Sequence, residues 1–129
     1  MLLSFEQAGD LLDLLAEPFP EALFEGLNGG VNFLQDTVPD PSFPSGEMVI
    51  LGEYCQDLLG RYINLYYGSF AVLAEKEDWT PQRWAEELRQ TLSHELTHHM
   101  ESRGGLHALD DKDEAELAAW RAEYENTEE

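Results

Sequence analysis

Residues 80–105 read TPQRWAEELRQTLSHELTHHMESRGG, and this stretch decides the fold. Thr80 is a good helix cap, and Pro81 falls at the first helical position, where its missing N–H costs nothing. Trp79 before the cap and Trp84 at the fourth helical position form a predicted hydrophobic staple. Leu88, Leu92, Leu96 and Met100 follow Trp84 at four-residue spacing, which predicts one apolar stripe facing a core. Gly104-Gly105 after Arg103 is a strong stop. The last third of this helix carries His94-Glu95-Leu96-Thr97-His98, an H-E-x-x-H motif. Histidines four apart stand one above the other on a helix, so both imidazoles can ligate one metal ion. The Leu stripe points away from them. Glu95 is rotated about a quarter-turn, within reach of a metal-bound water without being a ligand. Zinc with three protein ligands keeps a position for water, lowers its pKa to about 7 and polarises a carbonyl. A carboxylate base beside that water completes the minimum for amide hydrolysis. His99 is rotated off the ligand face, which predicts a structural or supporting role.

The third ligand is open on the residues alone. His107, Asp110, Asp111, Asp113, Glu114 and Glu101 are the candidates, although acids at a helix start are more commonly caps. Glu101, three residues past His98, is placed either to bind or to support a ligand. Cys55 is a rival third ligand, since deformylases pair H-E-x-x-H with an upstream cysteine. Its setting, Glu53-Tyr54-Cys55-Gln56, lacks their flanking residues, and a lone cysteine is usually a small core residue.

Outward from the helix, Ser4 and Gln7 form a predicted capping box, with Ala8, Leu11, Leu12 and Leu15 as the apolar face and Pro18 and Pro20 as the stop. A short turn of helix is predicted over Glu21 to Gly26, a break at Asn28-Gly29-Gly30, and a strand at Val31 to Leu34. A Pro-rich surface loop follows over Thr37 to Gly46. Met48 to Leu51 reads as a second strand, and Arg61 to Tyr67 as the strongest strand, with Ile63, Leu65 and Tyr67 on one face. A short helix is predicted over Phe70 to Lys76 and a last one from Asp110 or Asp111 toward Glu125, with Asn126 to Glu129 frayed.

The chain has 129 residues, is 43% hydrophobic and carries a formal charge of −20, which fits one acidic domain, 1–129. That charge argues against binding nucleic acid through phosphates and against docking on an anionic membrane. The single cysteine excludes an internal disulfide framework and suits a reducing compartment. The N-terminus is not a secretory signal and no run spans a bilayer, so the expectation is a cytoplasmic protein.

The sequence resembles the small zincin-like metallopeptidase family. The matching segments are Gly26 to Val31, Ile50 to Tyr54, Leu59 to Ile63, Tyr66 to Phe70, and His94 to Glu101 with its H-E-x-x-H-H-x-E pattern. The resemblance implies an α+β, zincin-like minimal domain: a small twisted mixed sheet packed on the motif helix, flanked by further helices. It also implies a zinc-dependent peptidase with one Zn²⁺ per chain held by His94 and His98, with Glu95 catalytic. Gly105 and Lys112-Asp113 match one branch of the family, which favours Asp113 as third ligand ahead of Asp111 and Glu101. In zincins an edge strand binds extended substrate as an added strand. The resemblance puts Arg61 to Tyr67 in that place, with Tyr66 or Tyr67 as a substrate-binding hydrogen-bond donor to the oxyanion. The expected partner is a peptide or unstructured protein. The alternatives are an acidic metal-binding interaction module without turnover and a deformylase-like amidase.

Overall fold

A computed structural model describes residues 2–43, 48–104 and Ala119. Helix α1 spans Phe5–Ala16, and its capping box is formed: Gln7 N–H donates to Ser4 Oγ at 3.0 Å, and Ser4 N–H to Gln7 Oε1 at 2.9 Å. A 3₁₀ turn covers Glu21–Phe24. Strands β1 (Val31–Leu34), β2 (Val38–Pro39), β3 (Val49–Ile50), β4 (Gly52–Asp57) and β5 (Gly60–Tyr66) follow, then helices α2 (Tyr67–Glu77) and α3 (Pro81–Ser102). Among the described residues no helix is long and apolar enough to cross a membrane.

Helix α3 runs 22 residues, about 33 Å at the usual rise. The Thr80 hydroxyl accepts from Arg83 N–H at 3.1 Å, and the Trp79 and Trp84 rings meet edge to face with centroids 5.4 Å apart, so cap and staple are both present. Trp84, Leu88, Leu92, Leu96 and Met100 are all buried. Each such side chain contributes about 1.5–3 kcal/mol of transfer free energy. Ile63 and Leu65 of β5, Leu12 of α1 and Phe70 of α2 close over this stripe.

The main sheet has the order β1-β5-β4, with β1 parallel and β4 antiparallel to β5; Ile63 stands between Val31 and Tyr54. The strand expected at Arg61 to Tyr67 exists, but it is the central strand and not an edge. Its last expected residue, Tyr67, opens α2 instead. The edges are β1 and β4, and β4 is a strand with no counterpart in the sequence reading. β4 and β5 join through the two residues Leu58 and Leu59, both highly exposed. Asp57 ties this turn by accepting from Leu59 N–H at 2.8 Å and Tyr62 O–H at 2.9 Å. Asn28-Gly29-Gly30 is more than a break: Asn28 Oδ1 accepts from Arg61 N–H, Gly29 N–H donates to Arg61, and Ile63 N–H donates to Gly30. Two matching segments of the resemblance therefore hold each other.

One further expectation changes in detail. Val38–Pro39, expected in a loop, pairs antiparallel with Val49–Ile50 as a separate two-stranded sheet. The predicted last helix, from Asp110 or Asp111 to Glu125, lies outside the described residues apart from Ala119, as does the Asn126 to Glu129 end. Helices and a small mixed sheet together make an α+β fold.

Candidate metal centre

His94 and His98 project from the exposed side of α3, one turn apart. Their Nε2 atoms stand 3.1 Å from each other and the rings cross at 86°. Two nitrogens on a tetrahedral zinc, each at about 2.0–2.1 Å, lie about 3.3 Å apart. The pair thus fits a shared zinc ion without moving either side chain far. Nδ1 of His98 faces the other way and has the Glu101 carboxylate 3.7 Å from it, with Glu101 largely exposed. That places Glu101 as an electrostatic support for His98 and not beside the converging nitrogens.

Among the described residues no third His, Cys, Asp or Glu converges with the pair. His107, Asp110, Asp111, Asp113 and Glu114 lie outside the described residues. Cys55 is on β4 but does not line the cleft, and its thiol is pushed up by burial, then by Glu53, with Asp57 and Glu95 adding to it. With Cys55 outside the lining of the cleft, the deformylase-like arrangement has no geometric support here.

Between the histidines, Glu95 is turned inward and only 6% exposed. Burial raises its carboxyl pKa; the neighbouring His94 and His98 oppose this, Glu53 adds to it, and a hydrogen bond from the Tyr54 backbone opposes it. The net rise moves the carboxylate toward the range where a general base works near neutrality.

A cleft of about 600 Å³ lies over these residues. His94, Glu95, His98 and Ser102 form its α3 side, and Gly52, Glu53, Tyr54 and Gln56 its β4 side. Tyr66 N–H donates to Leu51 C=O, so by antiparallel alternation Glu53, Cys55 and Asp57 bond to β5. Gly52, Tyr54 and Gln56 then turn their backbone groups to the free edge, toward the cleft, and the Tyr54 N–H reaching Glu95 agrees with this phase. Gly52 permits the close approach. A Cβ there would stand 2.7 Å from Leu65 Cδ2 and 2.9 Å from Thr91 Cγ2 of α3.

His99 is fully buried, one turn past Glu95 on the inward side of α3. Its Nε2 lies 2.6 Å from the Glu25 carbonyl, which accepts only, so Nε2 carries the proton. Nδ1 is then an acceptor, and Tyr54 O–H donates to it at 2.8 Å. Ser102 Oγ lies 3.0 Å from the same hydroxyl. Burial lowers the His99 pKa, which keeps the ring neutral. This chain of contacts fastens the edge strand β4 to α3 and thereby sets the width of the cleft.

The structure places Tyr66 and Tyr67 away from the cleft. Tyr66 is buried and donates to Glu53 Oε1 at 2.9 Å. Tyr67 donates to the Leu3 carbonyl at 2.5 Å and packs among Phe5, Phe33 and Trp84. Neither is positioned to meet an oxyanion. The tyrosine that lines the cleft is Tyr54, which sequence reasoning missed. Its signal in the sequence is its place at the end of the matching segment Ile50 to Tyr54.

A solved structure of a conserved hypothetical protein from Thermo thermophilus matches the chain at 33% identity and a TM-score of 0.66, covering 78% of this chain and 97% of that one. The chain belongs to the family of that protein. No family model and no curated protein matches the sequence. The likeness to this relative extends over nearly its whole length, so the α+β fold described above is a family property.

Proposed function

We propose that the protein is a zinc-dependent peptidase with a minimal zincin-like fold. The observation that carries this reading is the convergence of His94 and His98 Nε2 at 3.1 Å beside an inward-turned Glu95, under the open edge of a β-strand. His94 and His98 would hold the metal, with Asp113, or else Asp111, as the third ligand. Zinc, when bound, lowers the pKa of water and polarises a carbonyl. An extended peptide lies along β4, where the outward backbone groups of Gly52 and Gln56 and the Tyr54 carbonyl offer it strand-like hydrogen bonds. Glu95 takes a proton from the attacking water as its oxygen bonds to the scissile carbon. It then passes the proton to the leaving amine as the C–N bond breaks.

Elemental analysis of the purified protein beside His94→Ala/His98→Ala tests the metal; about one zinc per chain against none is expected. Glu95→Gln should retain zinc while losing cleavage of an unstructured peptide by about 10²–10⁴-fold. Zinc in neither protein after loading rejects the site. Zinc retained with undiminished turnover in Glu95→Gln rejects the proton-transfer role, and zinc without turnover in the wild type favours a metal-binding interaction module.

A further inference from the structure

The cleft contains a carboxylate that the proposed hydrolysis does not use. Glu53 stands on β4 at the cleft, half-buried, with Tyr66 O–H bonded to its Oε1 at 2.9 Å. That bond fixes the side chain and occupies one oxygen. The other acid groups nearby are accounted for. Glu95 handles the proton, Asp57 is engaged by Leu59 N–H and Tyr62 O–H, and Glu101 supports His98 from an exposed position. None of the described residues lining the cleft is Lys or Arg, and Glu53 has no cationic partner among the described residues. An oriented, half-buried carboxylate that no described cation faces is a receptor for a cation, and it acts at shorter range and with less screening than an exposed acid.

We infer that Glu53 is a specificity-determining residue, selecting extended peptides that place a Lys or Arg side chain against it while their backbone pairs with β4. The inference rests on the peptidase reading of the cleft and names its substrate class. Glu53 is neighbour to the Tyr54 backbone group facing the edge, so a peptide strand seated there brings one of its side chains into reach of Oε2. The formal charge of −20 favours the same ligands at long range, and Glu53 adds the positional choice.

The test is a set of fluorescein-labelled extended nonapeptides of Ala, Ser and Thr, each carrying one Lys, Arg, norleucine or Glu, the position being scanned along the peptide. Binding to the zinc-loaded protein is read by fluorescence anisotropy at low salt, and cleavage by mass spectrometry on the same mixtures. At one position the Lys and Arg peptides should bind about tenfold more tightly than the norleucine peptide, the size of one charged hydrogen bond. Glu53→Gln, which still accepts from Tyr66, should remove that difference between the Lys or Arg peptides and the norleucine peptide. Tyr66→Phe, which frees the carboxylate to wander, should reduce it. Equal binding of all four peptides, or a preference surviving in Glu53→Gln, overturns the inference and leaves the peptidase reading intact. A Glu53-dependent preference without cleavage supports the inference and counts against turnover. Binding of none of the peptides overturns both.

Discussion

Replacing His99 by Phe keeps the ring volume in a fully buried position and removes both ring nitrogens. The Glu25 carbonyl loses a donor at 2.6 Å, and Tyr54 O–H loses its acceptor at 2.8 Å while retaining Ser102 Oγ at 3.0 Å. Each hydrogen bond contributes about 0.5–1.5 kcal/mol net, and an orphaned buried group costs about 1–3 kcal/mol. Since Tyr54 keeps one partner and Glu25 loses its donor, the expected destabilisation is about 2–4 kcal/mol. Tyr54→Phe removes the same hydroxyl bond from the other end and should cost about 1 kcal/mol. Because the two share a contact, the double mutant should fall short of additivity by about 1 kcal/mol. Urea unfolding of the four proteins, followed by tryptophan fluorescence, measures all three quantities. A cost for His99→Phe below about 0.5 kcal/mol, or strict additivity with Tyr54→Phe, refutes the claim that this pair fastens β4 to α3.

The same histidine gives a pH dependence. Its native pKa is lowered chiefly by burial, while the unfolded chain takes up the proton near pH 6.5. Stability should therefore decline as pH falls below about 6.5 and level off below the native pKa, and the wild type minus His99→Phe difference in urea midpoint should isolate that slope. Gly52→Ala should cost about 1–3 kcal/mol, because its Cβ meets Leu65 and Thr91; a thermal scan with an unchanged midpoint contradicts the close packing of β4 on α3. Cys55→Ser should leave zinc content unchanged, since the thiol lies outside the cleft, and loss of zinc in that variant alone would reinstate Cys55 as a ligand.

The described helices were legible in the sequence because their signals are local. Caps, staple and stripe of α3 depend on residues within a few turns of one another, and so do the Ser4–Gln7 box and the His94–His98 pair. The sheet was legible in part. Arg61 to Tyr66 is rich in aromatic and β-branched residues, but nothing local distinguishes a central strand from an edge; that depends on β1, some thirty positions earlier. β4 was missed because Gly52-Glu53-Tyr54-Cys55-Gln56-Asp57 is polar and has little strand propensity of its own. It is a strand because Tyr54 is held by His99 and because its backbone pairs with β5. Tyr66 and Tyr67 were assigned to substrate for the same reason. Their exposure follows from which strand is the edge.

A sheet edge free to accept a guest chain is also open to another copy of itself. Proteins usually blunt such edges with Lys, Pro, a bulge or a covering helix. On β4 the charged residues are the acids Glu53 and Asp57, and the adjoining turn exposes Leu58 and Leu59 instead of covering them. Mutual repulsion between bodies of charge −20 opposes such pairing, a colloidal safeguard that acts on copies of this chain and spares a cationic visitor. The safeguard fails where charge is screened or neutralised. In concentrated salt, or near the isoelectric point of about 4.2, sedimentation should reveal self-association through β4, and a basic peptide seated in the cleft should suppress it.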